Sequence, residues 1–400
     1  MLLTIIGGGP VGLITAAIFK NTFPKLNVQI IEKRGTKTRD QIVYFKPYTL
    51  KRTLPEKIVD QLLKEGKGCY MLPPDRNQYA YCYKEAVVEG HYSLAIKISL
   101  LEQVLTKYVK QLKVKIVTKE ESCKSQIKGD LIIGADGIHS CVRTALLKTE
   151  FKKFEEYESY GLAITYKDDS SPKYIIGVNS KIRDKISLSK IDQHRKRFFR
   201  TDDESYLGLQ ISRSDYDSLL GVTEYKSASS HIKELIKSYL IHIGSDIKQL
   251  TEAKLSTFPV DVKHAVKYAT LTKEGQPVFL VGDAAISSHF FTAFGINVGF
   301  EQARLLLRLV HKYDFKEWPK VIEQYTQQME IFATDALNEA INVYLPIEQI
   351  DNICASLTKE ELDKIAEKEG VKIKGLSKQE GCYLLSRHLL INYSHMFFRT

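Results

Sequence analysis

The stretch "LLTIIGGGPVGLITAAIFK" near the N-terminus constrains the fold more than any other part of the chain. A short apolar run meets three glycines and then apolar and small residues at helical spacing, which predicts strand, tight turn and helix. Gly7, Gly9 and Gly12 give the spacing G-x-G-x-x-G. Without Cβ atoms the turn can be tight, its amides can approach a pyrophosphate, and the helix can pack closely on the strand. Pro10 and Val11 sit inside the turn, and the positive end of the helix that follows suits a phosphate. A second strand, "VQIIEKR", ends in Glu32, twenty residues after Gly12, with Lys33 and Arg34 behind it. An acid there would accept from a ribose hydroxyl. The expectation is an α/β fold that binds an adenine dinucleotide.

Two later stretches extend this reading. "GDLIIGADGIHSCVR" (129–143) is another apolar strand running into Asp136 and Gly137, followed by Ser140 and Arg143. "LVGDAAISSHFFTAFGINVG" (280–299) carries Gly282 and Asp283 at one end and Gly295, Ile296 and Asn297 at the other. The three motifs in this order resemble those of the group A flavoprotein monooxygenases, the p-hydroxybenzoate hydroxylase-like family. The resemblance implies an α/β fold: a Rossmann-like FAD-binding domain of the GR2, p-hydroxybenzoate hydroxylase-like type, a second β-sheet substrate lobe and a helical C-terminal tail. The implied division is an FAD-binding domain at 1–154, with substrate-side strands at about 70–97, and a β-sheet substrate lobe at 155–268. The segment 269–345 would return to the FAD-binding domain, and 346–400 would be the helical C-terminal region.

The same resemblance implies FAD as cofactor and NADPH or NADH as reductant. One oxygen atom of O2 would enter a substrate through a flavin hydroperoxide. Gly7, Gly9, Gly12 and Glu32 would hold the ADP half, beside Pro10, Val11, Lys33 and Arg34. Gly282 and Asp283 would hold the ribityl and pyrophosphate region, and the turn at Gly295, Ile296 and Asn297 would aim N–H donors at the flavin. Asp136, Gly137, Arg143 and Arg39 would complete the cofactor face.

The third motif departs from the family pattern. Ile286 stands where the family has histidine, His289 and Phe290 where it has two prolines, and Ala293 where it has glycine. A family arginine near residue 100 is missing, and Lys97 is the nearest cation. His289, Phe290 and Lys97 are therefore the candidate catalytic residues: a histidine titrates near neutral pH, and an aromatic ring offers a stacking surface. "IIEKRGTKTRDQIVYFKPYTL" resembles the MICAL monooxygenase domain through Glu32, Lys33, Arg34, Arg39, Pro47 and Thr49, with Gln41 in place of asparagine. That resemblance implies an alternative, oxidation of a protein side chain or release of peroxide. A catalytically silent flavoprotein acting as a binding module is the non-enzyme alternative.

At 400 residues, two lobes or one domain with a large insertion are expected. The formal charge is +10, no apolar run of membrane-spanning length interrupts the chain, and the N-terminus lacks signal-peptide character. A cytoplasmic protein with no membrane partner is the expectation. Six scattered cysteines show no metal-ligand spacing, so buried free thiols, no metal and no disulfide scaffold are expected. The single Trp318 argues against a halogenase. The substrate is expected to be a small molecule, with Arg76, Tyr79, Tyr81, Tyr83 and His91 as anchors. An acidic protein docking on "HRKRFFR" (194–200) is the rival. That run otherwise reads as a solvated loop. The tail from 356 to 390 predicts a capped amphipathic helix, a basic loop and a second helix, faintly similar to SAP modules. Nucleic acid is an unlikely partner, because its lysines and arginines are balanced by acids.

Overall fold

The computed structural model describes residues 1–35, 41–45, 49, 52–65, 69–70, 93–118, 127–167, 196–200, 204–242, 248–288, 294–343, 357–368, 370–378, 381–382 and 385. The described elements begin with β1 (Leu2–Ile6), α1 (Pro10–Thr22), β2 (Asn27–Glu32), β3 (Ile42–Phe45) and α2 (Glu56–Glu65). Next come β4 (Cys69–Tyr70), β5 (Ser93–Lys97), α3 (Ile98–Gln111), β6 (Lys115–Thr118) and β7 (Leu131–Gly134). The middle of the chain gives β8 (Phe151–Lys167), β9 (Lys196–Arg200), β10 (Glu204–Ile211), α4 (Arg213–Ser218), α5 (Ser230–His242) and β11 (Lys254–Ala265). The rest is β12 (Ala269–Leu271), β13 (Pro277–Leu280), β14 (Ile286–Ser287), α6 (Phe294–Lys312), α7 (Trp318–Val343) and α8 (Lys359–Lys368).

The chain divides into two compact units. The first comprises Met1–Met71, Cys82–Lys153 and Val262–Ala336. Its main sheet has the order β12-β13-β7-β1-β2-β6, with β13, β7, β1, β2 and β6 parallel and β12 antiparallel to β13. Every residue of β7 and β13 is buried, as strands covered on both faces must be. The covering layer includes α1, where Leu13, Ile14, Ala16, Ala17 and Phe19 are almost wholly excluded from solvent. A smaller antiparallel sheet has the order β3-β5-β4. Trp318 is half-buried beside Phe279 and Phe315, with ring centroids 6.1 and 6.2 Å away.

The second unit comprises Leu72–Tyr81, Phe154–Asp261 and Leu337–Thr400. Its core joins Leu162 and Ile164 of β8 and Leu207 and Leu209 of β10 to Ile232, Ile236 and Tyr239 of α5. The antiparallel register Ile164↔Leu207 and Leu162↔Leu209 puts these side chains on one face. β9 pairs with β10 and ends the sheet order, so Lys196–Arg200 of the basic run is a strand. The reading of that run as a loop is corrected: Phe198 and Phe199 favour a pleated strand, and charge alone does not oppose pairing at an edge. Near the C-terminus Thr358 accepts from the Glu361 amide at 3.2 Å and its own amide donates to Glu361 Oε2 at 2.8 Å, a reciprocal cap that starts α8. Leu362, Ala366, Ile373, Cys382 and Leu385 form a separate small core there.

Cys141 and Cys382 are each engaged in a disulfide, and no free cysteine stands among the described residues. The expectation of free thiols is overturned for these two. A disulfide depends on two Cα atoms lying within about 7 Å in space, which scattered positions along a sequence do not disclose.

The α1 turn leaves no room for a side chain at Gly7 or Gly12. A Cβ on Gly12 would stand 2.0 Å from the Gly7 carbonyl oxygen, and one on Gly7, at φ +106°, 2.3 Å from the Ala135 carbonyl oxygen. Gly137 also has a positive φ, +79°, but faces open space. Gly12→Ala is expected to cost roughly 3 kcal/mol or more through overpacking, whereas Gly137→Ala should cost about 1 kcal/mol of backbone strain. Urea unfolding of the two variants beside wild type measures the difference, and equal losses would contradict this steric account.

Candidate functional site

Four parallel strands end at one edge of the main sheet. Ile6 of β1 pairs in register with Ile31 of β2 and with Gly134 of β7, and Gly134 pairs with Leu280 of β13. The next residues of each strand are therefore neighbours: the Gly7 turn, Glu32, Ala135 with Asp136, and Val281 with Gly282. Backbone bonds carry the alignment past the strand ends, from Gly7 to Ile31, Ala135 to Ile6 and Val281 to Gly134, at 2.7 to 2.9 Å. β1 lies centrally, with the crossover to β2 on one side and β7 and β13 on the other. Ligands of open α/β sheets bind at such a switch point.

Glu32 is buried at this edge. Its Oε2 accepts the Gly8 amide at 2.6 Å, and its Oε1 accepts the Arg34 amide at 2.8 Å and Arg34 Nε at 3.1 Å. Burial alone would push its carboxyl pKa up; the bonds from the Arg34 side chain and the Arg34 and Gly8 amides reverse that and hold it below the ordinary value. The neighbouring N-terminus of α1 has no side-chain cap and no acid in its first turn, with Pro10 at its start. Its positive end is thus left for an anion. Lys33 is exposed.

Asp136 anchors the next loop. Its Oδ2 accepts the amides of Cys141 at 2.7 Å and Val142 at 3.3 Å, while its Oδ1 is buried with no hydrogen-bond partner. Burial pushes its carboxyl above the ordinary value, against the bonds from Ser140 and the amides of Val142 and Cys141. Arg143, buried nearby, donates from Nη1 to the Ala284 carbonyl at 3.0 Å and from Nη2 to the Ile138 carbonyl at 2.8 Å. Its guanidinium carbon lies 3.6 Å from the centre of the Phe151 ring. Arg143 thereby ties the Asp136 loop to the Gly282 loop.

The third motif enters the same edge. The Gly282 amide donates to Gln302 Oε1 of α6 at 2.6 Å. A Cβ on Gly282 would stand 3.2 Å from Val11, and one on Gly299 2.7 Å from it, so Val11 packs between the first and third motifs. Asp283 is exposed, and its Oδ1 stands 3.2 Å from the position of a Gly295 Cβ. Gly295, Ile296 and Asn297 form the start of α6, with no acid in its first turn and Asn297 wholly buried.

Lys97 closes β5 and is the N-cap of α3 without a side-chain cap bond. Arg39, His289, Phe290, Ala293 and Pro47, and the anchors Arg76, Tyr79, Tyr81, Tyr83 and His91, lie outside the described residues. Two residues escaped the sequence reading. Gln302 lies within the apolar run of α6, and Glu102 lies one position after Leu101 in α3; both are about 1% exposed or less. A polar residue on an otherwise apolar helix stripe was the available signal.

The residues fit FAD. An uncapped helix start suits its pyrophosphate, and Asp136 Oδ1 is a buried acceptor of the kind a cofactor hydroxyl would satisfy. Comparison with known proteins agrees. Residues 91–340 match the family model described as FAD binding domain, which is more than half of the chain. No curated protein matches the sequence. Among solved structures, PqsL of Pseudomonas aeruginosa in complex with 2-aminobenzoylacetate is similar at a TM-score of 0.60 and 16% identity, over 85% of this chain and 95% of that one. p-Nitrophenol 4-monooxygenase PnpA of Pseudomonas putida is similar at a TM-score of 0.57 and 15% identity, over 100% and 98% of the two chains. The flavin-dependent halogenase CmlS is similar at 0.63 and 13% identity, over 99% and 78%. At these identities the likeness is one of fold.

Two outcomes test the geometry. Arg143→Ala leaves the carbonyls of Ala284 and Ile138 without donors and is expected to cost roughly 3 kcal/mol by urea unfolding; a loss under about 0.5 kcal/mol would contradict the bridging role. Asp136, whose folded pKa is raised, loses stabilising effect as pH rises through that value. Asp136→Asn in flavin-free protein should therefore gain stability over wild type between acidic and neutral pH, and a gap that closes on raising the pH would overturn this.

Proposed function

Because the chain belongs to the FAD-binding-domain family, the family of the group A flavin monooxygenases, we propose that it uses NADPH or NADH to place one oxygen atom of O2 on a small aromatic molecule. The balance is substrate, O2, NAD(P)H and a proton giving oxygenated substrate, NAD(P)+ and water. The observation that carries this reading is the convergence of the Gly7 turn, Glu32, Asp136 and Gly282 at the carboxyl ends of four neighbouring strands. Bound FAD supplies the electron transfer between nucleotide and oxygen, which no side chain can provide.

The chain's own residues bind and orient. Glu32, held ionised by Arg34 and two amides, is suited to accept from the adenosine ribose. The uncapped start of α1 binds phosphate. Asp136 Oδ1 accepts a cofactor hydroxyl, and Asp283 holds the ribityl region. The start of α6, with Gly295, Ile296 and Asn297 and no acid in its first turn, would stabilise negative charge on a bound flavin. From their place in the third motif alone, His289 is assigned as a proton donor and Phe290 as a stacking surface, with Lys97 as a further cation. PqsL holds 2-aminobenzoylacetate and PnpA is named for p-nitrophenol, which supports a small aromatic substrate over a protein.

The purified protein should be yellow with bound FAD and should oxidise NADPH or NADH in air. Asp283→Ala and Asp136→Ala should each weaken FAD binding by about tenfold or more, the equivalent of one lost charge-assisted hydrogen bond. A colourless protein that takes up no FAD sinks the cofactor reading. FAD-loaded protein whose nucleotide consumption all appears as peroxide with every aromatic tried would instead favour an oxidase.

A further inference from the structure

Glu102 is a carboxylate with no solvent exposure, inside the unit that carries the nucleotide site. It lies on α3, which packs against α1. Its Oε1 stands 3.8 Å from where a Cβ on Gly9 would be, so the acid lies beside the residue that starts α1. Arg34 Nη2 is 3.8 Å from the same oxygen, while Arg34 Nε pairs with Glu32 at 3.1 Å. One guanidinium thus serves two buried carboxylates. The other charged groups on these packed elements are Lys20 on α1, Glu56, Lys57, Asp60, Lys64 and Glu65 on α2, and Lys107 and Lys110 on α3, with Lys97 at its N-cap; α1 has no acid in its first turn.

Resting on the FAD reading above, we propose that Glu102 makes cofactor binding proton-linked: the dinucleotide's pyrophosphate, settling on the start of α1, drives this carboxyl to take up a proton. A pyrophosphate on the start of α1 brings two negative charges close to the buried Glu102 carboxylate, beside a guanidinium that also faces Glu32. In a site removed from water, like charges at such separations interact strongly, and the cheapest relief is neutralisation of the buried acid. Glu102 is then a positioning residue that sets how firmly FAD is held at a given pH and makes the cofactor easier to release as pH rises. The sign follows from linkage: a proton taken up on binding weakens binding as its concentration falls.

The test is the FAD dissociation constant of full-length flavin-free protein from pH 5.5 to 8.5, for wild type and Glu102→Gln. Wild type is expected to weaken by up to about tenfold per pH unit over part of this range, and E102Q to bind more tightly at pH 8.5 with a flatter profile. The comparison isolates Glu102 from other titrating groups such as Asp136. Parallel profiles in the two proteins would overturn the proposal. Calorimetric titration of wild type with FAD, in buffers of different ionisation heat, reads the proton directly without a variant. Uptake approaching one proton supports the proposal, and none across the range overturns it. Failure of wild type to bind FAD at any pH would be a distinct result, removing the cofactor assignment and this inference with it.

Discussion

The nucleotide-binding unit depends on how closely the α1 turn approaches the end of β7. With only a hydrogen on the Cα of Gly12, that residue lies against the Gly7 carbonyl, and Gly7 in turn lies against Ala135. This closeness lets α1 begin directly beside the strand ends, so its uncapped N-terminus lies near Glu32 and Asp136 together. A side chain at Gly7 or Gly12 would push the helix away from the sheet and separate the amides from the acids. The fold is thus organised around a deliberate lack of side-chain volume at its most crowded point.

Around that point, buried polar groups join segments far apart in sequence. Arg143 spans from the Asp136 loop to Ala284, and Gln302 reaches from α6 to the Gly282 amide. Val11 fills the space between two glycines of the third motif. Each join is buried, and each would be costly if one partner were removed. Such joins fix the spacing between the Gly7, Asp136 and Gly282 turns. The electrostatics are less balanced: Arg34 faces both Glu32 and Glu102, and Asp136 keeps an oxygen without a donor. Sites prepared for a ligand commonly hold such unsettled groups.

The second unit has its own core between β8, β10 and α5, with Tyr160, Tyr166, Tyr225 and Tyr239 buried in it. Burial pushes the Tyr225 hydroxyl pKa upward, so it stays neutral at physiological pH. The capped α8 and its small cluster show that the C-terminal segment is organised by ordinary helix chemistry, a reciprocal cap followed by an apolar stripe.

Much of this was legible in the sequence. Glycine spacing, two apolar strands and the acid at the end of the second dictated the β1-α1-β2 unit, because steric and periodic constraints act locally. Residues 129–143 and 280–299 were readable as strands running into turns for the same reason. The strand character of Lys196–Arg200, the bonded state of Cys141 and Cys382, and the burial of Glu102 and Gln302 were not. Each depends on what the rest of the chain brings alongside: a partner strand, a second thiol, a neighbouring helix. The sequence by itself determined that there would be a dinucleotide-type turn and an acid to accompany it. Only the tertiary structure decided that Arg34 would be shared by two carboxylates and that Arg143 would hold one loop to another, since charge pairing and buried hydrogen bonds are set by distances in space.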